Sequence, residues 1–312
     1  MRYRLAGRSR PVIEKLTHGI GYWGWRISAA VAQRVPTRPL YAAAVLGGEL
    51  VYLGWAAKRR IAKHNFSIVL GRPSGDREVA RVARRSFRNF AKYLVEIMRF
   101  PMLSVSDFER LVTIEGWEHL RAGMARGKGL IFVSIHFGNF ELGGARIADE
   151  IPLNVIADDL ENSRLMDLLV GNRAHKNITL HSPDGAAKKV LRALRRNEMV
   201  GLMMDLGPRA QAFDNVETSF FGRRTAFPAV AATLARVSGA PIVVTAVVRE
   251  RNNTFTGIAL PPIFVERTRE AANDIELATG KIAAGLEDFV RRWPDQWYIF
   301  RPMWPLRPAG AP

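Results

Sequence analysis

The chain has 312 residues, a formal net charge of +17 and no cysteine, long enough for a substantial core in one large domain or one domain with an appendage. The lack of cysteine excludes disulfides, thiolate nucleophiles and cysteine-ligated zinc. The charge is unevenly placed. Residues 1–100 hold 20 of the 46 basic and 5 of the 29 acidic side chains, a balance suited to an anionic membrane surface or a nucleic acid.

No compact apolar stretch with a small-residue cleavage site follows the basic first ten residues, so no secretory signal peptide is expected. Ile13, Leu16, Ile20, Trp23 and Ile27 recur at intervals of three or four with Lys15, His18 and Arg26 between them. This spacing predicts an amphipathic helix with aromatic residues fit for a bilayer interface. Residues 40–55 form an apolar run broken by Gly47, Gly48 and Glu49 and followed by Lys58-Arg59-Arg60. Its length leaves three alternatives: a single span, a monotopic helix, or a buried helix. From Ser74 to Phe100, Val79, Val82, Phe90, Leu94 and Ile97 recur helically among arginines, and Pro101 stops the helix. No helix-turn-helix, finger or RNA-binding signature accompanies the charge, so anionic membrane lipids and no nucleic acid are the expected partners. Residues 1–105 therefore read as a basic, helical, membrane-associating region, and residues 106–312 as a catalytic α/β domain.

In that second part the pattern predicts strands at 111–114, 129–135, 152–156, 199–204, 241–248 and 255–260. Helices are predicted near 117–126, 139–148, 163–174, 184–197, 226–238 and 270–293. Such alternation implies a mostly parallel sheet covered on both faces, with reactive groups at the carboxyl ends of strands. Residues 254–260 read as a hairpin return, which makes the sheet mixed.

The segment Ser134-Ile135-His136-Phe137-Gly138-Asn139-Phe140-Glu141 directly follows the apolar run Gly129–Val133. A strand ending near His136, a turn at Gly138 and a helix capped by Asn139 would bring His136 and Glu141 within hydrogen-bonding reach. The carboxylate would fix the imidazole tautomer, and the other ring nitrogen could take a proton from a substrate hydroxyl. The same residues could equally form a structural pair. No H-E-x-x-H, G-x-S-x-G, P-loop or G-x-G-x-x-G motif is present, and neither a metal nor a cofactor is expected.

The block His136–Glu141 resembles the active-site segment of the bacterial lipid A biosynthesis acyltransferases and of the related phosphatidylinositol mannoside acyltransferases. Further blocks in the same order carry the likeness: Glu161-Asn162-Ser163-Arg164-Leu165 through Arg173, Asp205-Leu206-Gly207-Pro208-Arg209, Thr218-Ser219-Phe220-Phe221-Gly222, and Trp293-Pro294-Asp295-Gln296-Trp297. The likeness covers residues 40–305. It implies a glycerolipid-acyltransferase-like α/β fold on the cytoplasmic face of the inner membrane, monotopic or single-span. It also implies transfer of a fatty acyl chain from an acyl carrier protein or coenzyme A thioester to a glycolipid, either a lipid A precursor or a phosphatidylinositol mannoside. The ending Phe300-Arg301-Pro302-Met303-Trp304 is nearer the mannoside enzymes. A lysophospholipid or glycerol-phosphate acyltransferase is the enzymatic alternative; a basic membrane- or nucleic-acid-binding protein without catalysis is the other.

On this reading His136 is the general base and Glu141 orients it. Arg173, with turn amides near Gly138 and Asn139, would meet the oxyanion. Asp205 and Arg209 either hold each other or present Arg209 to an acceptor phosphate. Phe221 and Gly222 either line an acyl groove or belong to core packing, and Asp295-Gln296-Trp297 braces the structure.

Overall fold

The computed structural model describes residues 11–156, 176–181, 185–207 and 214–306, with side chains from residue 21 on. Four helices come first: α1 (Pro11–Arg34), α2 (Thr37–Gly54), α3 (Ala56–Val69) and α4 (Arg77–Arg99). The Asp76 carboxylate accepts from the Glu78 amide at 2.6 Å and caps α4. Helices α2 and α4 approach closely at Gly48, where a Cβ would lie 2.8 Å from the Phe87 carbonyl oxygen. Glu49 bonds to Arg84 and Arg88 across that contact.

Between α2 and α3 the chain bends by 94° at Trp55. Among the described residues no single helix is long and apolar enough to cross a membrane, and α2 and α3 meet that length and composition only together, as a bent pair.

Helix α5 (Val105–Leu111) leads into β1 (Val112–Glu115), α6 (Trp117–Met124), β2 (Leu130–Ser134), α7 (Phe140–Ala148) and β3 (Leu153–Ile156). Then come β4 (Ile178–His181), α8 (Ala186–Arg195), β5 (Met199–Met203), β6 (Asn215–Phe220), β7 (Arg223–Pro228) and α9 (Val230–Ser238). Strands β8 (Ile242–Arg249) and β9 (Phe255–Ala259) and helix α10 (Ala271–Arg292) follow. The seven-stranded sheet has the order β1-β9-β8-β2-β5-β3-β4. Its pairs are parallel except β8 with β9, giving the expected mixed sheet.

Strand alternation divides the core between the two faces. Ile131 and Val133 of β2 face one side with residues of α3, α4, α8, α9 and α10. Leu130 and Phe132 face the other with residues of α5, α6 and α7. Phe66, Val79, Val82 and Phe87 of the N-terminal helices thus share a core with the central strands. Fully buried Asn65 reinforces the join, donating to the carbonyls of Ile299 and Arg301 and accepting from the Met303 amide.

Strands β4, β6 and β7 were not expected from the pattern, and the predicted helix at 163–174 lies outside the described residues. Strands β6 and β7 form a separate antiparallel hairpin whose turn residues Phe221 and Gly222 both have positive φ, +52° and +68°. That is the twist a two-residue hairpin turn requires.

Candidate active site

Strand β2 lies between β8 and β5 in the sheet. Its chain leaves the sheet at Ser134, and two residues later reaches His136 at the carboxyl edge, where an open α/β sheet presents ligand-binding groups. The segment 136–138 is then held by residues 296–298. The Tyr298 amide donates to the His136 carbonyl at 2.8 Å, Phe137 bridges Trp297, and the Gly138 amide donates to the Gln296 carbonyl at 2.9 Å.

Glycine is required at the next turn. Gly138 has φ +55°, and a Cβ there would stand 1.6 Å from the Val247 carbonyl oxygen. Gly138→Ala is therefore expected to destabilise the protein by about 3 kcal/mol, from the strained φ and the displaced strand together. A fall in Tm of roughly 5 °C or more should follow, and an unchanged melting curve would show that β8 yields at no cost.

Asp205 stands two residues beyond β5, the strand beside β2, and its side chain is 1% exposed against 36% for His136. Its Oδ1 lies 2.8 Å from His136 Nδ1. Its Oδ2 accepts from the His136 amide at 3.2 Å and from Trp297 Nε1 at 3.0 Å. Burial by itself would raise this carboxyl; His136, then Arg301 and the Trp297 bond, more than offset it and hold the pKa down at about 2. Arg301 also donates to the Asp205 carbonyl at 2.9 Å. Asp205 thus contacts His136 Nδ1 directly, a contact the sequence reading did not assign to it. Nε2 is on the ring edge away from Asp205.

Glu141 occupies the first turn of α7 and is largely buried, where the helix dipole favours its negative charge. Asn139 caps α7, accepting from the Leu142 amide at 3.0 Å, and its Nδ2 donates to Glu96 at 2.6 Å. With the residue fully buried, both ends of the amide are engaged inside the fold.

Phe221 and Gly222 form the β6–β7 turn. The Phe221 amide donates to Glu287 at 2.6 Å, and its ring lies under Arg291 of α10. Phe220 is buried among Phe227, Trp297 and Trp304, while Phe221 is partly buried and Gly222 exposed. Arg173 and Arg209 lie outside the described residues.

Aromatic residues that sequence reasoning left aside line the site. The Phe140 ring is 5.5 Å from that of His136, Tyr93 is 5.3 Å from Phe140, and Tyr298 is 5.6 Å from Tyr93. Phe140 sits inside the quoted motif, but contact from α4 and from residue 298 has no local signal.

A mixed α/β sheet carries a buried carboxylate against a partly exposed histidine at the carboxyl edge of its parallel strands, the layout of an α/β enzyme. The chain belongs to the bacterial lipid A biosynthesis acyltransferase family, whose model matches residues 13–305; it is an acyltransferase. It is 22% identical to the phosphatidylinositol mannoside acyltransferase of Mycolicibacterium smegmatis over 286 residues, 90% of this chain and 89% of the relative. It is 24% identical to a protein of the same name from Mycobacterium tuberculosis over 226 residues, 70% of this chain and 69% of the relative. The lipid A biosynthesis lauroyltransferase of Escherichia coli is 23% identical over 268 residues, 85% of each chain.

Proposed function

We propose that this protein moves a fatty acyl chain from an acyl carrier protein or coenzyme A thioester to a hydroxyl of a glycolipid, with His136 as general base and Asp205 as the group that orients it. The 2.8 Å contact between His136 Nδ1 and Asp205 Oδ1 carries this reading. With Nδ1–H directed to the carboxylate, Nε2 takes the acceptor's hydroxyl proton as that oxygen bonds to the thioester carbonyl carbon. The tetrahedral intermediate collapses, the C–S bond breaks, and the imidazolium returns the proton to the departing thiolate. The products are one ester and one free thiol. Asp205 stabilises the imidazolium between the two transfers, and Arg173 is kept from the family resemblance as a donor to the oxyanion.

The acceptor is a lipid, and an exposed apolar surface offers a way to reach it. Trp23, Ile27 and Val31 form one stripe on α1, and Leu46, Leu50 and Leu53 another on α2, all more than half exposed. Lys58, Arg59 and Arg60 follow the bend at Trp55. Apolar stripes flanked by cations suit the interface of an anionic bilayer. Gln33 and Arg99 tie the end of α1 to α4, so substitution is a cleaner probe than deletion. Changing Trp23, Ile27 and Val31 together to serine is expected to weaken sedimentation with phosphatidylglycerol-containing vesicles by about tenfold, given ~25 cal/mol per Å² of apolar surface. Undiminished sedimentation would remove this face from the account.

The activity itself is tested with labelled acyl-CoA or acyl carrier protein and, in parallel, a lipid A precursor or a phosphatidylinositol mannoside. Label in a new ester of either glycolipid supports the reading. With glycerol 3-phosphate and a lysophospholipid supplied as further acceptors, label appearing only in lysophosphatidic acid or in a diacyl phospholipid would favour the glycerolipid alternative.

A further inference from the structure

Behind the site, on the side away from Asp205, lies a second buried charged pair. Glu96 of α4 and Arg249 at the end of β8 have side chains 6% and 4% exposed. Arg249 donates to both Glu96 oxygens, to Oε2 at 2.8 Å. Tyr41 of α2 donates to Oε1 at 2.7 Å, and Asn139 donates to Oε2 at 2.6 Å. Burial would lower the Arg249 pKa, but the adjacent Glu96 carboxylate reverses this and raises it, so the guanidinium stays charged.

Such a pair contributes little net stability, because desolvating two charges offsets most of their attraction. What it contributes here is direction. A carboxylate at 96 requires Asn139 to present its Nδ2, which turns the amide oxygen to the Leu142 amide at the head of α7. The backbone of Arg249 makes the second connection. Gln296 accepts from the Arg249 amide at 2.6 Å and donates to its carbonyl at 3.0 Å, and the Gln296 carbonyl holds the Gly138 amide. Glu96 and Arg249 thus reach both residues of the turn, Gly138 and Asn139, through which the chain passes from His136 into α7.

We infer that Glu96 and Arg249 are positioning residues for the reaction, fixing the turn that aims His136 Nε2 while touching neither substrate nor the reacting atoms. The inference rests on His136 being the base. Misplacement of a reacting group by about 1 Å can cost ~10² in rate, which sets the scale of the effect.

Glu96→Gln leaves one acceptor oxygen where Arg249, Tyr41 and Asn139 together use two. With acyl-CoA saturating and the glycolipid acceptor varied, this variant is expected to lose about 10- to 100-fold in kcat with acceptor KM unchanged. Asn139→Ser keeps a capping oxygen but drops the bond to Glu96, and should show the same loss if Glu96→Gln does not fold. The double variant Glu96→Gln with Asn139→Asp reverses donor and acceptor, since aspartate caps equally well and accepts from the glutamine amide. It is expected to recover about tenfold or more of the lost kcat. A purely structural pair would move the melting temperature without this selective recovery.

His136→Ala in the same assay separates the two levels. If it keeps wild-type turnover, the general-base reading falls and this inference with it. If His136→Ala is inactive while folded Glu96→Gln or Asn139→Ser turns over at the wild-type rate, or the double variant recovers nothing, the positioning role alone is overturned.

Discussion

His136→Ala is expected to lower acyl transfer by about 10²–10⁴-fold, the usual contribution of a positioned general base, while circular dichroism and the melting transition stay close to wild type. The ring is more than a third exposed, so its removal opens no large cavity. The loss should fall on kcat and kcat/KM alike, because proton abstraction belongs to the transition state and not to binding. Labelled ester formation under saturating donor measures it. Wild-type rates in the variant would mean that the thioester is attacked without help from this residue.

Asp205→Asn tests the orientation of the ring and should be nearly as severe, about 10³–10⁴-fold, as expected when an amide enforces the wrong imidazole tautomer. The new side chain can keep the Trp297 bond through its oxygen. Its NH₂ then faces Nδ1, which must accept, so the proton moves to Nε2 and the base is occupied. Glu141→Gln provides the contrast. Asp205 contacts Nδ1 at 2.8 Å, so the glutamine variant should lose less. If the order were reversed, with Glu141→Gln the more damaging, the local carboxylate would be the functional partner and Asp205 a structural one.

Much of the fold was legible because its signals are local. The apolar run before Ser134 and the capping Asn139 announce β2 and α7, and the residues between them place His136 at a strand end. The β6–β7 hairpin was hidden because β6 is largely solvent-facing and polar, Asn-Val-Glu-Thr-Ser-Phe, and the two strands pair with each other. The contact between His136 and Asp205 went unseen for a related reason. A glutamate five residues away is visible in a line of sequence, whereas Asp205 is 69 residues away and meets the ring only because β5 pairs with β2. Asp205 was noticed as a loop residue, but its role depends on register. Glu96 is hidden still more deeply, on a helix crowded with arginines that reads as a solvated face until Arg249 of β8 closes over it.

The threading of residues 296–303 through this architecture has a consequence for the newborn polypeptide. Trp297 supplies a hydrogen bond to Asp205, Tyr298 holds the His136 carbonyl, and Arg301 fastens the Asp205 backbone. At ~5–20 residues per second, translation reaches Trp297 roughly 10–30 s after His136. Throughout that interval the whole H-x₄-E motif exists without the clasp that aims it. A ribosome stalled in between, or a protease cut ahead of residue 296, would release a fragment that carries the recognisable catalytic sequence and yet is chemically silent.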